Sequence, residues 1–109
     1  MAAEDLGLQK RRLHYELEHS IKKINRELIS EAAGPLGRED FTQVAQMVAC
    51  LRARYLTNSL VMAKDCGKAC IDTESALALK NHRIAYEEAK AAYDALEHAL
   101  LRGYIEFDG

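Results

Sequence analysis

The chain has 109 residues, 49% of them hydrophobic and 29% charged, with a formal net charge of −2 and three cysteines. That is one domain's worth of chain with ordinary apolar content, which excludes intrinsic disorder, and its near-neutral balance offers no overall field to nucleic acid or an anionic membrane. The opening Met1-Ala2-Ala3-Glu4-Asp5 has neither the basic nor the apolar run of a secretory leader, so the odd cysteine count reads as free thiols in the cytoplasm.

The first helix is predicted from about Asp5 to about Ala32. Leu6, Leu13, Leu17, Ile21, Ile24 and Leu28 fall, at about 100° per residue, within a stripe about 80° wide, the mark of one buried face. Lys10 lies on the same stripe near its amino end, where a long side chain reaches out to water. Glu18 with Lys22, and Lys23 with Glu27, have i,i+4 spacing on the exposed side. Lys10, Arg11, Arg12, Lys22, Lys23 and Arg26 are balanced by six acids within residues 1–31. That mixture reads as a solvated face, not a phosphate-tracking one.

Gly34-Pro35-Leu36-Gly37 is the clearest helix breaker in the chain. A second helix is predicted over about 38–66, with Glu39 and Asp40 in its first turn, where the helix dipole favours negative charge. Phe41, Val44, Val48, Leu51, Tyr55, Asn58 and Met62 form a heptad seam, alternating steps of three and four as in a coiled coil. A second apolar set, Ala45, Ala49, Leu56, Leu60 and Ala63, covers another face. A helix apolar on two sides belongs between two neighbours or in an oligomer interface. Cys50 reads as a small core residue. Arg52 and Arg54, at the centre of the most apolar stretch, exclude a membrane span.

Gly67 is placed to stop helix 2, and Asp72 or Thr73 to cap a third helix over about 72–102 that Gly103 ends. The seam of helix 3 is Leu79, His82, Tyr86, Ala89, Tyr93, Leu96 and Leu100, and its many alanines allow a close helix approach. Short links make neighbouring helices antiparallel. The expected fold is therefore all-α: a single domain over residues 1–109, an up-down-up three-helix bundle of long helices. A short apolar tail follows at 103–109, in which Tyr104, Ile105 and Phe107 fold back over the bundle end or dock on another chain.

Candidate chemistry is sparse. Glu16 and His19 have the i,i+3 spacing of carboxylate-bridged metal sites but point away from the apolar stripe, as do Asp94 and His98 on helix 3. Cys66 and Cys70 could form a reversible disulfide or bind a metal. They lack both the two-residue spacing of redox motifs and a second pair, so ordinary reduced thiols are the simpler reading. In an up-down-up bundle His14, Asn58 and His82 share one level and form a polar layer, with Tyr55 and Tyr86 nearby; such layers fix register. No phosphate loop, nucleophile elbow or zinc-protease motif occurs.

The function these features point to is non-enzymatic: a protein–protein interaction or assembly module, self-associating as a homodimer or serving as a subunit of a helical complex. Leu56, Leu60, Tyr104, Ile105 and Phe107 are its interaction residues, and no cofactor, nucleic acid or membrane partner is expected. The alternative is a helical bundle that binds a metal or small ligand through its His/Asn layer, with His14, His82, Cys66 and Cys70 as candidate ligands.

Overall fold

The computed structural model describes residues 3–66 and 72–109, with side chains for 5–65 and 72–109. Gly67, Cys70 and the side chain of Cys66 lie outside the described residues, and with them the disulfide and thiol-metal readings. The fold is all-α, with α1 Ala3–Ala33, α2 Arg38–Cys66 and α3 Thr73–Leu101. The chain divides into two compact units, one of residues 38–97 and the other of residues 1–37 together with 98–109.

The unit of residues 38–97 is an antiparallel pair, α2 against α3. Arg52 Nε donates to the Tyr86 hydroxyl at 3.3 Å, and the Tyr55 and Tyr86 rings stack with centroids 6.2 Å apart. In an antiparallel pair that contact brings Val48 and Ala89 to about the same level. Every residue of the two predicted seams is buried or half-buried, and Val48 and Ala89, at 7% and 6% exposure, form the centre. Ala89 admits the close approach because it has no side chain beyond Cβ. At the start of α3 the Ser75 backbone N–H donates to Asp72 Oδ1 at 2.7 Å. Asp72, not Thr73, is thus the N-cap. This hydrogen bond, with a second from the Ser75 hydroxyl, holds its carboxyl below the ordinary value of 3.8.

In the other unit the C-terminal tail runs along α1. Gly103 ends the third helix at φ 76°, with Tyr104 N–H donating to Ala99 O at 2.9 Å and Gly103 N–H to Leu100 O at 3.1 Å. These are the paired bonds of a Schellman cap. α1 ends differently. Gly34, at φ 73°, donates to Ser30 O at 2.8 Å, and Pro35, having no N–H, cannot supply the second bond. Leu36 is then clipped to the tail: its N–H donates to Glu106 O at 2.9 Å, and Asp108 N–H donates to Leu36 O at 2.7 Å. Ile105, 4% exposed, is buried by this fold-back.

Two local expectations change. Cys50 is a free thiol on the exposed surface, not a core residue, because it lies on the far side of α2 from the seam. Glu18 is engaged by His14 at 3.3 Å instead of by Lys22, and no ion pair joins Lys23 to Glu27. Lys22 is drawn the other way, across the bare backbone of Gly103, where an added Cβ would sit 2.6 Å from Lys22 Cε.

Candidate interaction surfaces

The apolar stripe of α1 is where sequence and structure part most clearly. Leu6, Leu13, Leu17, Ile21, Ile24 and Leu28 are one helical face, as their spacing requires, yet each is 45–60% exposed. Leu17 and Ile21 line a cleft with Tyr104 of the tail and still stay exposed, while the half-buried Asn25, Ile29 and Ser30 centre about 140° around the helix from the stripe. The Ser30 hydroxyl donates to Glu106 Oε2 at 3.4 Å on that side. The stripe runs about 33 Å, from Leu6 to Leu28, at 1.5 Å per residue. Fully burying a leucine or isoleucine stabilises by about 1.5–3 kcal/mol, so six half-exposed ones forgo roughly 6 kcal/mol. That is comparable to the whole net stability of a small domain, about 5–15 kcal/mol.

Leu56 and Leu60, on the second apolar face of α2, are likewise more than half exposed, at 52% and 62%. Of the three tail residues, Ile105 is consumed inside the chain and Tyr104 is half-buried, while Phe107 stays partly exposed beside its bridge to Leu36. The tail is thus a clip within the chain before it is a contact for anything else.

Tyr104 also shapes a cleft of about 450 Å³ between the tail and the middle of α1. Its apolar floor is Leu17 and Ile21, its aromatic walls are Tyr15 and Tyr104, Lys22 and Arg102 supply positive charge, and His19 adds an imidazole. Glu18 is the one carboxylate lining it among the described residues, and His14 already engages it. A smaller cleft of about 290 Å³ adjoins, lined by His19, Lys22, Lys23 and Arg26. No sequence motif announces either cleft, because the Arg102 and Tyr104 walls depend on the tail's return.

The three residues of the expected polar layer make separate arrangements. Asn58 donates to Arg54 O of its own helix at 2.8 Å. His82 is half-buried on the seam and makes no hydrogen bond, while His14 is turned to Glu18 along α1. Register between α2 and α3 is instead marked by the Arg52–Tyr86 hydrogen bond, with the guanidinium 5.3 Å from the ring centroid. His98 packs edge-on to Tyr104, centroids 6.3 Å apart, instead of pairing with Asp94. Among the described residues no three His, Cys, Asp or Glu side chains converge as metal ligands, and no helix is long and apolar enough to cross a membrane. Comparison with protein families, with curated proteins and with solved structures returns no match to this chain.

Proposed function

We propose that this chain is a non-enzymatic assembly module that self-associates through the apolar stripe of α1. The observation that carries the reading is the exposure of six aliphatic side chains along about 33 Å of one helical face. Patches of that kind on a folded chain mark interaction sites. The occupant that fits best is a second copy, because the stripe is symmetric about Leu17. Leu13 and Ile21 lie four residues to either side, and Leu6 and Leu28 eleven. Two α1 helices crossing antiparallel on a two-fold axis at Leu17 set Leu6 against Leu28, Leu13 against Ile21 and Leu17 against itself. Such a self-complementary patch is what a closed dimer requires. Lys10, opposite Ile24, lies on the stripe itself, and its four-carbon stem carries the ammonium out past the contact into solvent.

Six side chains per copy change from half-exposed to buried. Twice about 6 kcal/mol of apolar transfer is enough to offset the roughly 4–15 kcal/mol of lost translational and rotational freedom only in part of that range. A dimer of moderate affinity is therefore expected, not an obligate one. Light scattering on the eluting gel-filtration peak, over a dilution series, tests it: twice the chain mass at high concentration, falling on dilution. A monomer at every concentration would refute the reading.

A further inference from the structure

The basic residues of α1, balanced by acids when counted along the sequence, are separated from them in space. At about 100° per residue, Arg11, Arg12, His19, Lys22, Lys23 and Arg26 occupy one arc opposite the apolar stripe. Between residues 8 and 30 the acids Glu16, Glu18 and Glu27 lie outside that arc, Glu16 and Glu18 about 20° beyond its edges and Glu27 about 40°. All six basic residues are exposed, and the small cleft shows His19, Lys22, Lys23 and Arg26 side by side. The tail adds Arg102, which shares the larger cleft with Lys22 and His19. Gly103 is what permits this: with no Cβ, it lets the stem of Lys22 cross the cap and keep its ammonium at the cleft. The acids nearest the arc are Glu16, Glu18, engaged by His14, and Glu106, which accepts from Ser30 at the carboxyl end.

Two tyrosines are interleaved with these cations. Tyr15, 73% exposed, lies on the basic arc itself, and Tyr104 faces the same cleft. A line of cations about 22 Å long (Arg11 to Arg26 at 1.5 Å per residue) with aromatic faces beside it is the combination that holds a flexible phosphodiester strand. Phosphates follow the cations and bases stack on the rings. Duplex would present its phosphates and keep its bases from the tyrosines; a lipid surface would bury the apolar stripe and draw the cations to its headgroups, and measurement on anionic vesicles distinguishes that case. We infer that the basic face of α1, completed by Arg102 and Tyr104, binds single-stranded nucleic acid without sequence preference. The cation line of α1 lies on the face opposite the stripe, so the inference stands without self-association; the larger cleft is shared ground, because Leu17 and Ile21 of the stripe form its floor beside Tyr104 and Arg102.

Fluorescence anisotropy of a labelled oligothymidylate of about 16 nucleotides, the upper end of a single-fold site, tests it at low salt on the full chain. Binding is expected to weaken with salt at a log–log slope near −0.7 for each phosphate engaged. Replacing Lys22 and Arg26 together by Gln is expected to make the slope shallower by about 1.4. Tyr15→Ala is expected to weaken binding by roughly 5- to 150-fold. These three positions are exposed, so circular dichroism of each variant serves to show that its helix content is retained. No binding at low salt overturns the inference. So does tighter binding to the duplex of the same length, or affinity unchanged by Tyr15→Ala, which would leave only a diffuse cationic face. Tighter binding to anionic phosphatidylserine vesicles than to the oligonucleotide would assign the surface to lipid instead.

Discussion

If two copies pair through α1 with the two-fold axis at Leu17, position 17 meets itself, and position 6 does not come near its own counterpart. Eleven residues on either side of the axis at 1.5 Å rise put the two copies of residue 6 about 33 Å apart, far beyond the roughly 4.4–6.8 Å between Cα atoms that a disulfide spans. In a background with the native cysteines replaced by serine, mild oxidation should crosslink Leu17→Cys into a dimer and leave Leu6→Cys monomeric on a non-reducing gel. The energetics give a second handle. Leu17 is 51% exposed, so Leu17→Ala removes about half of a leucine's transfer energy, roughly 1 kcal/mol per copy and 2 kcal/mol per dimer. At 1.4 kcal/mol per decade that weakens the dimer about 30-fold by sedimentation equilibrium. Leu8→Ala, on the opposite face of α1, should leave the dissociation constant unchanged. Crosslinking of Leu6→Cys as readily as Leu17→Cys would mean a parallel pair or none in this register. Equal effects of Leu17→Ala and Leu8→Ala would remove the stripe as the interface altogether.

Gly103→Ala places a Cβ at φ 76° and 2.6 Å from Lys22 Cε, whereas at Gly34, at φ 73°, nothing lies within 4 Å. Both substitutions should destabilise by about 1–2 kcal/mol for the left-handed backbone, and in urea titrations Gly103→Ala should lose more, unless Lys22 gives way freely. The Asp72 carboxyl titrates below its ordinary value when folded, so its contribution is present above that value and is lost as pH falls through the lower, folded one. Asp72→Asn keeps a good cap but cannot titrate. The wild type should therefore lose more melting temperature than the variant between neutral pH and pH below about 3.8, and identical acid profiles would count against the cap. His82 is a half-buried, unbonded polar side chain on the seam of α3. His82→Leu should gain about 1 kcal/mol of burial and raise the melting temperature by roughly 4–8 °C. A fall would show that the imidazole holds the hairpin together.

The parts of the fold that were legible beforehand are those in which side-chain chemistry repeats with the period of the backbone. The seams of α2 and α3 were readable to the residue, from Phe41 to Met62 and from Leu79 to Leu100, because each step of three or four returns to the same face. The caps at Gly103 and Asp72 were legible for a local reason: only glycine accepts φ 76° freely, and an Asp before a helix has N–H groups to receive. The clip of Leu36 to residues 106 and 108 was not, because it is made of backbone groups that every residue carries. Ile29, a single apolar residue off the stripe, gave no period to follow. The local bonding of His14, Asn58 and His82 was not legible either. A shared level along three helices says nothing about which hydrogen bond each polar group prefers, and for Asn58 the carbonyl of Arg54, one turn back on its own helix, is nearer than any neighbour's side chain.

Periodicity also has a limit of principle: it shows that a face is apolar and not what covers it. The spacing from Leu6 to Leu28 marks one apolar face of α1, and the period is silent on what packs against it. The same distinction governs the charges. Six bases against six acids in residues 1–31 is a neutral sum, yet a partner meets a helix one face at a time. At contact distances the field is set by Lys22, Lys23 and Arg26 together, while Glu16 and Glu27 lie about 20° and 40° beyond the edge of that arc. Salt screens charges beyond about 10 Å at 0.1 M, so the local arc, not the net charge, decides what the back of α1 attracts. A helix with water-avoiding side chains on one face and cations on the other can take two different partners at once. That is the property an assembly module with an anionic client needs.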